Sequence, residues 1–516
     1  MAIVETVVET QQGKVEGEQN DGQLVFRGIP FARPPVGSLR WRAPEPAARW
    51  SGVRAANAYG AQSWQPPRVA GTPLAGLMSV SVPCAEDCLT LNVWTPGAAD
   101  RARPVMVWIH GGAFSIGSGA QAIYDGAALS RRGDVVVVTI NYRLGALGFL
   151  RLTDVTDGRI PSTGNEGLLD QVAALEWVRD NIARFGGDPA NVTIFGESAG
   201  GMSVGALLGA PRARGLFKRA IPQSGASSTA TPRVQASQIA EGFLKHLKLK
   251  ASDLASLETM EAQPLTTAAA LFTLVAGGMP YQPCIDGALL PALPIDTVKA
   301  GNADGVSVMV GAAAHEWLLF SAMDPAAASL DDAHLKARVS GRVGSSADAL
   351  IAGYRNLLAS RGEPHDPLSV FAAIETDRVF RIQAERLADA LATRGQSPYH
   401  YEFTWRSPLL NGKLKSCHAI DIAFVFATHA LNDGVAKFCG EGPSANALAA
   451  TVQDAWLSFA RTGTPNAAGL DGWKPYDRAR PTTAIFDVPA GVSPSVLTAE
   501  RRLWEGQPDG AVVGRL

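Results

Sequence analysis

Gly196-Glu197-Ser198-Ala199-Gly200 is the segment of this chain best suited to covalent chemistry. It follows a short apolar run, Val192-Thr193-Ile194-Phe195, and precedes small residues compatible with a helix. A serine between glycines at a strand–turn–helix junction sits on a sharp, strained turn that leaves its hydroxyl exposed above a sheet. The flanking glycines leave room for strand and helix to cross. A bare glycine-rich turn would also fit the letters, and the strand–turn–helix setting is what favours a nucleophile. Such a hydroxyl needs a general base, and acyl transfer also needs donors where negative charge develops.

A source of donors lies upstream. Val105-Met106-Val107-Trp108-Ile109 reads as a strand, and His110-Gly111-Gly112-Ala113-Phe114 follows it. Loops of this type supply backbone N–H groups beside an exposed serine. The N–H groups of Gly112, Ala113 and Ala199 are therefore expected to form an oxyanion hole, with His110 shaping the turn. The base is harder to find, because eight histidines compete for the role. Residue type alone leaves His418, His429 and His315 open.

Strands must carry these loops. Leu91 to Trp94 and Val105 to Ile109 are short apolar runs, and Val135 to Ile140 is a β-branched run apolar on both faces, as in a strand buried within a sheet. Between it and Val192 to Phe195, residues Leu168, Leu169, Val172, Leu175, Val178 and Ile182 recur at helical spacing. Further strands are expected at Ala220-Ile221, Val306 to Val310 and His400 to Phe403. Strands alternating with helices predict a mainly parallel sheet covered on both faces. Residues 1–60 read as short antiparallel hairpin strands. Ala-rich, helix-periodic stretches at about 230–300 and 325–395 read as insertions into a single domain spanning 1–516.

With 46% hydrophobic and 18% charged residues, the chain can bury a large core. Its net charge of -2 points to neither nucleic acid nor an anionic membrane as a partner. No apolar run reaches the ~18 residues of a membrane span. Five cysteines do not make a disulfide framework, and Cys84 with Cys88 lacks a second pair that could complete a zinc site. A cytoplasmic protein without metal or cofactor is the expectation.

Several further segments together resemble the type-B carboxylesterases, which include cholinesterases and bacterial para-nitrobenzyl esterases. These are Phe26-Arg27-Gly28-Ile29-Pro30-Phe31-Ala32, Glu86-Asp87-Cys88-Leu89, Asn141-Tyr142-Arg143-Leu144-Gly145, Gly164-Asn165-Glu166-Gly167 and Phe185-Gly186-Gly187-Asp188-Pro189. They run in the family's order through nearly the whole chain.

The resemblance implies an α/β-hydrolase fold and a serine esterase acting on small-molecule esters through an acyl-enzyme on Ser198. It implies Glu316, in Ala314-His315-Glu316, as the acid and His418, in Cys417-His418-Ala419, as the base. It sets Glu197, Ser224 and Asp421 around them, Asp421 standing where the family more often has Glu. It pairs Arg40 with Glu86 and Arg143 with Asp170. The family's usual disulfide partner for Cys88 is replaced by Ser63, so that bond should be absent. Phe320 and Phe371 are expected to line the substrate pocket. The competing functions are a non-catalytic binding protein on the same fold, and a hydrolase of amides or long-chain triglycerides.

Overall fold

A computed structural model describes residues 6–67, 77, 80–97, 101–250, 252–494 and 496–509. Five short strands open the chain: β1 Val7–Glu9, β2 Lys14–Glu16, β3 Glu18–Asn20, β4 Gln23–Pro30 and β5 Val53–Ala55. Then come β6 Thr90–Thr95, β7 Arg103–Ile109, β8 Val136–Ile140, β9 Gly187–Glu197 and β10 Arg219–Gln223. The last four are β11 Ser307–Ala313, β12 Tyr399–Phe403, β13 Thr482–Phe486 and β14 Gly491–Pro494.

Strands β1, β2 and β5 make a small separate sheet, and the others form one eleven-stranded sheet ordered β3-β4-β6-β8-β7-β9-β10-β11-β12-β13-β14. From β8 to β13 every neighbouring pair runs parallel. The two margins are antiparallel. The hairpins expected near the start are β1–β2 and β3–β4.

The central strands are apolar on both faces because both faces are covered. Val105, Val107 and Ile109 of β7 join one core with Leu168, Val172 and Leu175 of the helix Glu166–Asn181. Met106 and Trp108 point the other way, into a core shared with Val452, Trp456 and Phe459 of the helix Pro443–Thr462. A side-chain period of two sends alternate residues to opposite layers, so neither face of these strands can be polar. Trp108 lies 5.0 Å from Phe195 of β9 and 5.1 Å from Phe426, ring centre to ring centre. Each such edge-on pair adds about 0.5–1.5 kcal/mol beyond its buried area. Together they tie the strand that carries Ser198 to the helix that follows His418.

The segment 230–300 contains the helices Arg233–His246, Leu254–Thr259, Ala262–Ala276 and Pro294–Lys299. The segment 325–395 contains Asp332–Val343, Ala347–Ser360, Pro367–Thr376, a π-helical turn Asp377–Arg381, and Ile382–Thr393. Asp366 caps Pro367–Thr376 by accepting the N–H groups of Leu368 and Ser369, with proline at the first helical position where no partner is lost. Ile382–Thr393 packs on β11 and β12 and is thus the crossover between them. Among the described residues, no helix is long and apolar enough to cross a membrane.

Candidate active site

Every residue singled out for chemistry leaves the sheet at the C-terminal end of a parallel strand. His110 follows β7, Ser198 follows β9, Ser224 follows β10, Glu316 lies just beyond β11, and His418 lies in the loops after β12. Open α/β sheets bind ligands along this edge. Non-glycine residues with positive φ gather there as well: Ala113 (51°), Phe114 (56°), Ser198 (58°), Ser224 (45°) and Ala419 (66°). Such strain costs about 1–3 kcal/mol per residue and persists where the surroundings enforce it.

Ser198 has φ 58° and ψ −126° and immediately precedes the helix Ala199–Gly209. Glycine is required beside it. A Cβ on Gly200 would come 2.0 Å from the Ile109 carbonyl oxygen, where β7 and the helix start meet. The loop after β7 is pressed onto the elbow just as closely. A Cβ on Gly111 would come 2.6 Å from the Glu197 carbonyl oxygen and 3.1 Å from Ser198 Cβ. This presses Gly111, the residue before Gly112 and Ala113, against the serine. Among the described residues the Gly112 and Ala113 amides donate no hydrogen bond. The Ala199 amide opens its helix, where the first N–H groups lack intrahelical acceptors and the dipole is positive.

His110 is structural. Its Nδ1 is 2.8 Å from the Gly111 carbonyl oxygen, and its ring stacks on Tyr142 at 4.4 Å. Burial pushes it down to about 4, so it stays neutral.

Glu316 and His418 are 102 residues apart in sequence, yet His418 Nδ1 lies 2.5 Å from Glu316 Oε2. The other carboxylate oxygen accepts the Ser224 hydroxyl at 2.5 Å and the Ala313 N–H at 2.7 Å. Glu316 is fully buried, so these donors replace the water that it lacks. Burial alone would lower His418, but the Glu197 and Glu316 carboxylates outweigh it and raise the imidazole to about 9. The rival histidines are elsewhere: His429 Nε2 faces Asn446, and His315 is held down to about 3 by burial and by Lys415, Arg381 and Arg406.

Glu197 and Asp421 complete the buried set. His418 Nε2 is 3.2 Å from Glu197 Oε1. Burial pushes Glu197 up to about 8 and Asp421 up to about 6. Gln223, which sequence reading passed over, donates to Asp421 at 2.7 Å and accepts from Trp456 at 3.1 Å. Its place beside Ser224 at the end of β10 was the available signal. The half-buried Ser198 makes no side-chain hydrogen bond among the described residues, and the Nε2 edge of His418 is turned to the neighbouring residue, Glu197. Catalytic bonds of this kind often tighten only once substrate is bound.

The expected ion pairs form. Arg40 grips Glu86 at 2.7 and 2.6 Å, and Arg143 grips Asp170 at 2.8 and 2.7 Å. All five cysteines are free, and the Ser63 hydroxyl accepts the Leu144 N–H at 3.1 Å where a disulfide partner of Cys88 would have stood. One expectation needs correcting. Phe320 does lie against His418, at 4.9 Å, but Phe371 is 2% exposed and packs under Arg338 and Arg342, because its helix turns that face to the core. The second ring on His418 is Phe380, also at 4.9 Å. Among the described residues, no group of three or more His, Cys, Asp or Glu could hold a metal ion.

The carboxylesterase family profile matches residues 4–501. A para-nitrobenzyl esterase of Bacillus subtilis is 38% identical over 501 residues, covering 93% of this chain and 94% of the relative. A phenmedipham hydrolase of Pseudarthrobacter oxydans is 35% identical, covering 94% and 95%. The crystal structure of a Geobacillus stearothermophilus carboxylesterase superposes with a TM-score of 0.87 at 41% identity, covering 97% of this chain and all of the other. With an elbow serine, a carboxylate–imidazole pair and a match of this extent, the chain belongs to the carboxylesterase family and is a carboxylic ester hydrolase of the α/β-hydrolase fold.

Proposed function

We propose that Ser198 is the nucleophile, His418 the general base, and Glu316 the acid that orients it. The observation that carries this reading is the 2.5 Å contact between His418 Nδ1 and a buried Glu316 whose other oxygen is already taken by Ser224 and Ala313. That contact directs the Nδ1 proton to Glu316 and makes Nε2, which lies 3.2 Å from Glu197 Oε1, the nitrogen that accepts the serine proton. His418 Nε2 removes the Ser198 proton as the serine oxygen bonds to the ester carbonyl carbon. The Gly112, Ala113 and Ala199 amides hold the oxyanion. When the intermediate collapses, His418 passes the proton to the leaving alcohol and an acyl-serine remains. Water then attacks in the same way, releasing the acid and restoring Ser198.

Small-molecule esters are the proposed substrates, as the name of the para-nitrobenzyl esterase relative supports. Phe320, half-buried against the His418 ring, is the residue we propose as one wall of the ester pocket. We read the enzyme as one domain working in the cytoplasm, and its five free cysteines support a reducing setting. Ser198→Ala tests the nucleophile. The variant should fold and lose para-nitrophenyl ester hydrolysis, and turnover at the wild-type rate would overturn the assignment.

A further inference from the structure

The π-helical turn Asp377–Arg381 lies between two regular helices and touches His418, while the residue before it touches the residue after Glu316. Phe380 packs its ring 4.9 Å from that of His418. Thr376, the residue just before the turn, accepts the Trp317 N–H on Oγ1 at 3.0 Å, and Trp317 immediately follows Glu316. The stretch Thr376–Arg381 is therefore in contact with the base and with the backbone that follows the acid.

It is anchored at unusual expense. Arg381 reaches Asp377 at 3.0 Å, Glu402 at 2.8 Å and Glu500 at 3.9 Å, all with little solvent exposure. Asp377 also accepts the Tyr354 hydroxyl, which in turn accepts the Trp504 indole N–H at 2.7 Å. From the helix that follows the turn, the Gln383 amide donates to the Arg378 carbonyl at 3.1 Å and accepts from Ser228, four residues beyond the serine that holds Glu316. Buried ion sets contribute little net stability, because desolvation offsets attraction. What they enforce is one geometry. A π turn inserts a residue into the helical register, and such insertions are frequent at functional sites.

Phe380 is not a substrate wall. It is 2% exposed, whereas Phe320, at the same distance from His418, is half-buried and available to the pocket. We infer that the stretch Thr376–Arg381 is a positioning element for the catalytic pair, with Phe380 fixing the imidazole ring and Thr376 fixing the start of the helix behind Glu316. This rests on His418 and Glu316 being base and acid.

The test compares Phe380→Ala, Phe380→Leu and Thr376→Val with wild type, and with His418→Ala as a control. Kinetics use a short-chain para-nitrophenyl ester, and proton NMR follows the His418 Nδ1–H that bridges to Glu316. Phe380→Ala should lower kcat by roughly ten- to hundredfold, as small displacements of a catalytic group do, with KM within about twofold. Its bridging-proton signal should broaden or vanish. Phe380→Leu, which refills most of the space, should recover most of kcat and the signal. Thr376→Val is nearly isosteric and keeps the inference testable if Phe380→Ala does not fold. It should lower kcat several-fold at unchanged KM. If Phe380→Ala and Thr376→Val keep kcat and the signal, or change KM alone, the positioning role is wrong while the base assignment stands. Full turnover by His418→Ala would instead remove the base assignment itself.

Discussion

Replacing Glu197 by Gln should move the acid limb of the pH–rate profile, by an amount the structure bounds. Glu197 Oε1 lies 3.2 Å from His418 Nε2, and both groups are fully buried. At an effective dielectric constant of about 20, two unit charges at that separation attract by about 5 kcal/mol. At about 1.4 kcal/mol per unit of pKa, that is an upper limit of nearly four units. The real effect is smaller, because burial pushes Glu197 up to about 8 and keeps it largely protonated below that pH. A drop of about one to two units is therefore expected for His418.

The sign follows from the base's role. As the proposed base, His418 must be neutral, so kcat/KM should rise with pH as the imidazole loses its proton. In the wild type this limb should lie above the ordinary histidine value of 6.5, since Glu316 and Glu197 favour the protonated ring. Glu197→Gln removes one of those carboxylates and should carry the limb to lower pH, whatever happens to the plateau. The assay is kcat/KM for a para-nitrophenyl ester across pH, read at the wavelength where nitrophenol and nitrophenolate absorb equally. A limb that stays in place, or moves up, would refute the electrostatic reasoning.

Ser224→Ala removes the hydroxyl 2.5 Å from Glu316, a charge-assisted bond of about 1.5–3 kcal/mol, and should cut kcat/KM roughly ten- to hundredfold. A wild-type rate would show that Ser224 does not orient the acid. Gly111→Ala drives a methyl group to 2.6 Å from the Glu197 carbonyl oxygen, so the oxyanion loop must retreat. Activity should fall by roughly a hundredfold or more in a protein whose far-ultraviolet circular dichroism is unchanged, and retained activity would mean that the loop tolerates the shift. Asp170→Asn leaves the buried Arg143 without its counter-charge and should cost about 3–5 kcal/mol in urea unfolding. An unchanged midpoint would show that the pair is no anchor.

The parts legible in the sequence are those governed by local rules. Val136 to Ile140 is recognisable because a strand covered on both faces must be apolar throughout, and the Gly196–Gly200 elbow because its backbone tolerates few residues. Glu316 and His418 are different. Nothing local marks either, their meeting spans 102 residues, and only resemblance to a family separates His418 from His315 and His429.

The helix Pro443–Thr462 and the strands β13 and β14 are absent from the sequence reading. The strands are five and four residues long, too short for a clear period. Phe371 and Phe380 sit on one continuous helical stretch, and which one faces His418 depends on the extra residue of the π turn between them. That register shift leaves no compositional trace.

The central claim is that Ser198 forms the covalent bond and depends on His418 to do so. Treating the enzyme with a nitrophenyl organophosphate and mapping the adduct by mass spectrometry, in wild type and in His418→Ala, tests it most directly. One phosphoryl group per chain on the peptide containing Ser198, formed far more slowly in the variant, is the predicted result. Inactivation with the label on another residue, or equal labelling rates in the two proteins, would contradict it.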